Sequence, residues 1–174
     1  MHRKLPDYLR PGLDVVFVGF NPGERSARIG HYYAGRGNQF WNLLFESGLV
    51  SKSLQPEDDH RMPTFGLGLT DMVKRWSRSA NELKASDFRR GVPRLEKKLR
   101  RAAPRVVAFN GKTAYQKFNG RSSRSLQIGW QSQLFAGARI FVLPSTSGRN
   151  ASLTRAEKRD AFRRLAKWVK RNGQ

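Results

Sequence analysis

The sequence predicts an α/β protein, a three-layer α/β/α sandwich around a mainly parallel central sheet. Three short apolar runs, at residues 14–20, 105–109 and 139–143, are rich in β-branched and aromatic side chains. None of them alternates polar and apolar residues, which is typical of strands that are buried on both faces. The chain has 174 residues, the length of one ordinary domain, and we expect a single domain over residues 1–174.

Capping residues and prolines mark the helices between these strands. Asn38 is a candidate N-cap for a helix that runs to about Ser47, and Gly48 is its candidate terminator. Ser86 is a candidate cap for the next helix, and Pro93 should break or restart that helix because proline lacks a backbone N–H. The pattern therefore places two helices between the first and the second predicted strand.

The last helix is predicted from its start and from its apolar face. Thr154 and Glu157 form a capping-box pattern, in which each side chain satisfies a backbone N–H of the other residue. The apolar stripe that follows is formed by Phe162, Leu165, Trp168 and Val169. Residues 50–64, in contrast, are polar and contain Ser and Pro, and they predict a connecting loop without a functional role.

The chain is strongly basic, with 34 Lys and Arg against 13 Asp and Glu and a formal net charge of +21. Such a charge exceeds what solubility requires and predicts a polyanionic partner. The cations are spread along the whole chain, so we expect the folded body itself to be basic. The sequence has no Cys, and its three His, at positions 2, 31 and 60, lack metal-ligand spacing. We therefore expect neither a metal nor a cofactor.

The sequence carries no sign of membrane attachment. It has no apolar span long enough to cross a bilayer, no lipidation signal and no signal-peptide stretch near its first residue. We therefore expect an intracellular protein, either cytoplasmic or associated with the nucleoid.

Polar segments that contain glycine or small residues follow the three predicted strands, at residues 21–23, 110–113 and 145–150. Loops beyond the carboxyl ends of parallel strands carry the working groups of such sheets, so these segments are candidates for an active site. The Gly-Lys-Thr at residues 111–113 is also the ending of a phosphate-binding loop. Val106 occupies the position of that motif's first glycine, however, and we expect no triphosphate site.

Five motifs appear in the order in which a known family has them. They are VGFNPG at residues 18–23, a glycine-rich aromatic segment at 30–41, GLTDMV at 68–73, FNGK at 109–112 and LPSTSGRNA at 143–151. Through them, from about residue 14 to 169, the chain resembles the mismatch-specific uracil-DNA glycosylase and thymine-DNA glycosylase family of the uracil-DNA glycosylase superfamily. Several motifs in order are more specific than any one of them.

The resemblance implies a role for each motif. Enzymes of this family flip the target nucleotide out of the duplex, because the glycosidic bond is inaccessible inside the base stack. By this correspondence Asn21 positions the attacking water and Tyr33 stacks on the flipped base, although an ordinary core aromatic is the alternative for Tyr33. Phe20 and Ser145 contribute to the base-binding site. The wedge that enters the gap in the duplex consists of Gly148, Arg149 and Asn150.

The sequence departs from the family pattern at two places. Residues 145–147 contain no His to stabilise negative charge on uracil O2, and Asp71 stands where better-known relatives carry an Asn or Lys that faces the base. An ionised carboxylate cannot donate a hydrogen bond to O4. Asp71 therefore either accepts hydrogen bonds from a pyrimidine or activates the water together with Asn21. An exposed capping or loop acid is the third interpretation of Asp71.

The predicted activity is that of a monofunctional DNA glycosylase, which hydrolyses the N-glycosidic bond of uracil, or of related damaged or mismatched pyrimidines, in base excision repair. No nucleophilic lysine is placed at the Asn21 motif, so we expect an abasic site without strand cleavage. The expected partner is double-stranded DNA with a uracil mismatch, bound by a monomer. The alternatives are a non-catalytic nucleic-acid-binding protein on the same fold and an RNA-directed enzyme or RNA-binding module.

Overall fold

A computed structural model describes residues 1–122 and 124–173 of the chain. Within them a five-stranded sheet is formed by β1 (Val15–Gly19), β2 (Leu67–Asp71), β3 (Val106–Asn110), β4 (Gly129–Phe135) and β5 (Ala138–Leu143). The strand order is β2-β1-β3-β5-β4, in which β4 pairs antiparallel with β5 and the other pairs are parallel. The predicted α/β fold with a mainly parallel sheet is therefore confirmed.

Helices cover both faces of this sheet. They are α1 (Glu24–Ile29), α2 (Phe40–Glu46), α3 (Ala85–Ala102), α4 (Lys112–Asn119) and α5 (Arg155–Asn172). On one face α2 and α5 pack through Phe40, Leu44, Phe162 and Leu165. On the other face α3 and α4 pack through Leu95, Leu99, Ala114, Tyr115 and Phe118. The three layers that the sequence predicts are present, and none of the helices within the described residues is long and apolar enough to cross a membrane.

Three of the five strands match the predicted apolar runs to within one residue at each end. All five residues of β1 are buried, and successive side chains enter opposite layers of the core, with Phe17 in one and Val18 in the other. The strands β2 and β4 were not predicted. The end of β2 is polar, and β4 is a polar edge strand, so neither has the apolar run that marks a buried strand.

The predicted caps of α2 and α5 are present. The N-cap position of α2 is Gln39, one residue later than expected, but the Asn38 Oδ1 accepts a hydrogen bond from the Phe40 N–H at 3.0 Å. At α5, Thr154 Oγ1 accepts from the Glu157 N–H at 3.2 Å, and Glu157 Oε2 accepts from the Thr154 N–H at 2.7 Å. Each helix therefore begins where a side chain satisfies its free N–H groups.

Ser86 is not the cap of α3, because α3 begins at Ala85 and its N-cap residue is Lys84. Two further predictions about local structure are wrong. Pro93 does not break α3, which continues to Ala102, because Pro93 is exposed while Leu95 and Leu99 keep the helix packed on the sheet. Residues 50–64 are not a featureless loop, because Pro56–Phe65 forms a 3-10 helix that buries Asp59. At Pro93, tertiary packing outweighs local propensity. In the 3-10 helix, the buried carboxylate of Asp59 has a role that is described below.

Candidate active site

The carboxyl ends of β1, β2, β3 and β5 meet at one edge of the sheet and line an open cleft of about 1580 Å³. Enclosed pockets for small molecules measure about 300–1,000 Å³, so an open cleft of this size is better suited to a polymer. All three predicted strand-end segments line it. The cations along its walls are Arg25, Arg28, Arg36, Arg78, Lys112, Arg149 and Arg164. The cleft therefore attracts a polyanion.

Asn21 lies just beyond β1, and its side chain is held through the amide nitrogen. Nδ2 donates to the Arg75 carbonyl at 3.0 Å, to Ser77 Oγ at 2.8 Å and, at a longer 3.3 Å, to the Pro22 carbonyl. Because carbonyl oxygens only accept, these contacts fix which side of the amide is the nitrogen. Among the described residues no hydrogen bond engages Asn21 Oδ1, which is left to accept from a molecule in the cleft.

Ser77 positions Asn21, and sequence reasoning missed it. The Ser77 N–H donates to the Pro22 carbonyl at 3.1 Å, which joins the turn after β1 to the segment after β2. The Ser77 hydroxyl donates to the Ser79 carbonyl at 2.8 Å and is therefore oriented to accept from Asn21. No pattern in the sequence marks this serine, since it is separated from Asn21 by 56 residues.

Asp71 is the last residue of β2 and is only 4% exposed. Its Oδ1 lies so close to Gly19 that a side chain at that position would collide with it. Its Oδ2 is buried and has no hydrogen-bond partner within the described part of the chain. Burial raises the pKa of Asp71 to about 7, with a contribution from Asp7. The interpretation of Asp71 as an exposed loop acid is therefore wrong.

A cluster of charges adjoins Asp71 and limits the rise of its pKa. Asp7 accepts from Lys74 and Lys98, each at 2.5 Å, and from the Thr70 hydroxyl at 2.7 Å. Burial raises the pKa of Asp7, but Lys74 and Lys98 lower it to below its ordinary value. The same two lysines lower the pKa of Asp71 and so oppose the effect of burial there. No group of three or more potential metal-binding side chains occurs within residues 1–122 and 124–173.

Tyr33 lines the cleft and rests on the core. Its ring stacks on Phe40 with centroids 4.0 Å apart and planes 29° apart. Its hydroxyl is buried without a hydrogen-bond partner among the described residues. Burial, and next the carboxylate of Asp71, raise the pKa of Tyr33 above its ordinary value, so the hydroxyl stays protonated. Tyr33 is thus half-buried, neither fully enclosed in the core nor free to move.

The backbone of Tyr33 is held in a left-handed conformation, with φ of 54°. This region is unfavourable for residues other than glycine, so neighbouring contacts must stabilise it. Asp59 supplies them: its Oδ2 accepts from the Tyr32 N–H at 3.0 Å, and its Oδ1 lies 3.2 Å from His31 Nδ1. Asp59 is fully buried, whereas its neighbour Asp58 is partly exposed, and nothing in the sequence distinguishes the two acids.

Phe20 and Ser145, the other predicted base-binding residues, also line the cleft. The ring of Phe20 packs on Phe88 with centroids 5.2 Å apart, and its carbonyl accepts from the Val73 N–H at 3.0 Å. Ser145 Oγ accepts from the Ser147 N–H at 3.4 Å. The Phe20 carbonyl therefore keeps one lone pair for a second donor.

The predicted wedge residues also line the cleft, in the segment of residues 145–152, here called the wedge loop. Arg149 is exposed, and its Nη1 donates to the Arg78 carbonyl at 3.2 Å. Asn150 closes the loop, because its Nδ2 donates to the Ser145 carbonyl at 3.1 Å and its Oδ1 accepts from the Ser152 hydroxyl at 2.7 Å.

The wedge loop is joined to the other strand-end segments. Asn110 Nδ2 donates to Thr146 Oγ1 at 2.9 Å, Asn110 Oδ1 accepts from the Thr146 N–H at 3.0 Å, and the Gln39 N–H donates to the Thr146 carbonyl at 2.9 Å. A Cβ at Gly148 would lie 3.0 Å from the Gly37 carbonyl oxygen and 3.1 Å from that of Arg36, so a side chain here would require the backbone to shift. The loops after β1, β3 and β5 therefore form one contiguous surface.

Comparisons with known proteins agree with this fold. The sequence model of the uracil DNA glycosylase superfamily matches residues 6–170. Among solved structures, the solution NMR structure of a candidate uracil DNA glycosylase from Methanosarcina acetivorans is similar, with a TM-score of 0.58 and 22% sequence identity. The match covers 94% of this chain and 98% of that one. At this identity the likeness shows a shared fold.

Proposed function

Because the chain belongs to the uracil DNA glycosylase superfamily, we propose that it is a monofunctional DNA glycosylase of base excision repair that hydrolyses the N-glycosidic bond of uracil in DNA. Water adds to C1′ of the sugar, the base leaves with a proton, and an abasic site remains in an uncut strand. Related damaged or mismatched pyrimidines are candidate substrates as well. The observation that carries the proposal is the convergence of Asn21, Tyr33 and Asp71 on one basic cleft.

In this proposal Asn21 orients the attacking water. An amide is not a base at neutral pH, so its contribution is geometric: Oδ1 accepts a hydrogen bond from water and directs the water oxygen toward the sugar carbon. The hydrogen bonds from Nδ2 to the Arg75 carbonyl and Ser77 Oγ support this role, because they hold the amide in one orientation.

Asp71 is the candidate for proton transfer. A general base is most effective when its pKa lies near the working pH, and burial raises the pKa of Asp71 to about 7. Among the described residues its Oδ2 has no hydrogen-bond partner, and in this proposal it either takes a proton from the water or accepts a hydrogen bond from the base. Rates of Asp71→Asn and Asp71→Ala on several lesions test both roles, and unchanged rates on all lesions would remove Asp71 from the mechanism.

Base capture is assigned to Tyr33, Phe20 and Ser145, and strand separation to the wedge loop. A ring fixed against Phe40 presents a rigid surface to an unstacked base, and such stacking contributes about 1–3 kcal/mol per base. Arg149 is long, exposed and held only by the Arg78 carbonyl among the described residues, so it can leave that carbonyl and enter a duplex. These features support DNA as the partner, and we propose that the protein binds a uracil mismatch in double-stranded DNA as a monomer.

The experiment that tests the proposal measures uracil release from duplex and single-stranded oligonucleotides by the purified protein. Asn21→Ala should lower the rate by at least about a hundredfold, because misplacement of a reacting group has costs of that order. Asn42→Ala is the matched control, since Asn42 is exposed on α2 and does not line the cleft. The product strand should break only after alkaline treatment, as an abasic site does.

Uracil release that Asn21→Ala leaves unchanged would contradict the assignment of the site. No release by the wild type from any uracil substrate would reject the enzyme, and salt-sensitive DNA binding without release would instead support the non-catalytic nucleic-acid-binding alternative. A preference for G·U over A·U and single-stranded uracil would support placement in the mismatch-specific branch of the superfamily.

A further inference from the structure

Lys158 is a buried cation that the site described so far does not use. It is 2% exposed and is the fourth residue of α5, directly after the capping box. Its Nζ donates to the backbone carbonyl of Asn150 at 2.7 Å. This contact joins the first turn of α5 to the wedge loop.

The position of Lys158 is unfavourable for a cation in two respects. Burial removes the ammonium group from water, which favours the folded state only when strong partners replace the water. The first turn of a helix also carries the positive end of its dipole, which repels a cation. An unbranched apolar residue of similar size would fill the same space without either penalty, so stability alone does not explain a lysine here.

The contact reaches the residue that closes the wedge loop. Asn150 bonds through its side chain to the Ser145 carbonyl and to the Ser152 hydroxyl, and through its own N–H to the Ser147 carbonyl at 3.0 Å. Its remaining backbone group, the carbonyl, is the one that Lys158 holds. Asn150 is thereby fixed on every side, and Arg149, the residue before it, projects from a rigid base.

We infer that Lys158 is a positioning residue for strand separation: it holds the wedge loop in the shape that inserts Arg149 into the duplex. This inference rests on the proposed function. Flipping a base out of a duplex requires unstacking and unpairing, and the loop must resist the strain of doing so. A base in a single strand is already unpaired. Lys158 therefore matters for uracil in a duplex and far less for uracil in a single strand.

The test compares kcat/KM for uracil release from a G·U duplex and from the same strand alone. The variants are Lys158→Met, which keeps the length without the charge, and Lys158→Arg, which keeps a donor. Lys97→Met is the matched control, because it removes the same charge from an exposed position on α3 that does not line the cleft. Melting temperatures are measured for all of them.

We expect Lys158→Met to lower duplex kcat/KM by about tenfold to a hundredfold, the effect of one hydrogen bond from a charged donor. Its single-strand kcat/KM should stay close to the wild-type value, and its melting temperature should stay equal or rise, because an apolar residue replaces a buried charge. Lys158→Arg should recover part of the duplex activity. Lys97→Met should match the wild type on both substrates.

Equal losses on duplex and single strand, or no loss on the duplex, would overturn the inference while leaving the proposed function intact. A wild type that releases uracil from neither substrate would overturn both. If Lys158→Met lacks a cooperative melting transition, Lys158→Gln takes its place, since it keeps a polar group but is too short to hold Asn150. For this variant too, equal losses on duplex and single strand, or no loss on the duplex, would overturn the inference.

Discussion

Replacement of Asp71 by Asn should stabilise the protein by an amount that grows with pH. Burial raises the pKa of Asp71 from its ordinary value of 3.8 to about 7. In the unfolded chain the carboxyl ionises near 3.8, whereas the folded protein keeps it protonated to about pH 7. Between these values the folded state binds more protons than the unfolded state, so the stability of the wild type falls as the pH rises through this window.

The size of the effect follows from the shift of about three units, each of which corresponds to about 1.4 kcal/mol. The difference in unfolding free energy between Asp71→Asn and the wild type should therefore widen by about 4 kcal/mol from pH 4 to pH 8. Other acids, such as Asp87, have lowered pKa values and act in the opposite direction, but they are present in both proteins and cancel.

Urea unfolding followed by tryptophan fluorescence measures this difference at several pH values, provided that the m-value is the same for both proteins. Glu57→Gln is the control, because it also converts a carboxyl to an amide, at an exposed position outside the cleft. A constant difference between Asp71→Asn and the wild type across the pH range would refute the reasoning, since it would mean that Asp71 ionises equally in both states.

Three further predictions concern the same cleft. If Asp71 works as an ionised group, kcat/KM for uracil release should rise with pH through about 7 and then level off. Asp71→Asn should lack this rise. Activity that falls over this pH range would mean that the protonated acid is the active form. Asp59→Leu should lower kcat/KM and destabilise the fold by about 2 kcal/mol, because the buried Tyr32 N–H loses its acceptor. Asp59→Asn keeps an acceptor and should retain most of the activity. Equal effects of the two variants in rate and melting assays would contradict this prediction. Gly148→Ala should impair uracil release from a duplex more than from a single strand, because its Cβ would lie 3.0 Å from the carbonyl oxygen of Gly37 and displace the wedge loop. Duplex activity equal to that of the wild type would show that the loop accommodates the Cβ without loss of function.

The parts of the fold that follow from the sequence are those where local pattern and tertiary environment agree. Residues 14–20 are apolar without alternation because β1 is buried on both faces, and Thr154 begins α5 because its hydroxyl and Glu157 satisfy the first N–H groups. The end of β2 is polar although it is buried. The Thr70 hydroxyl donates to Asp7, which lies 63 residues away, and Asp71 Oδ2 has no hydrogen-bond partner among the described residues. A pattern confined to the strand cannot show this.

The candidate site divides in the same way. Asn21, Asp71 and Tyr33 lie in motifs that the chain shares with a known family, and this resemblance assigns them roles that remain to be tested. The residues that hold them do not lie in such motifs. Ser77 is 56 residues from Asn21, and Asp59 is 27 residues from Tyr32. Contacts at such separations depend on the completed fold, so sequence reasoning finds the reacting groups more readily than their supports.

Asp71 and Lys158 are both buried and ionisable, but Asp71 lines the cleft, whereas Lys158 contacts the wedge loop through the Asn150 carbonyl. Among the described residues they share no hydrogen-bond partner, so the effects of replacing each on stability should be additive to within about 0.5 kcal/mol. The double variant Asp71→Asn/Lys158→Met should then be the most stable of the set above neutral pH and also the least active on a duplex. On single-stranded uracil it should match Asp71→Asn alone, because Lys158 acts only on strand separation. A double variant less stable than either single one would mean that the buried anion and cation stabilise each other through the protein interior.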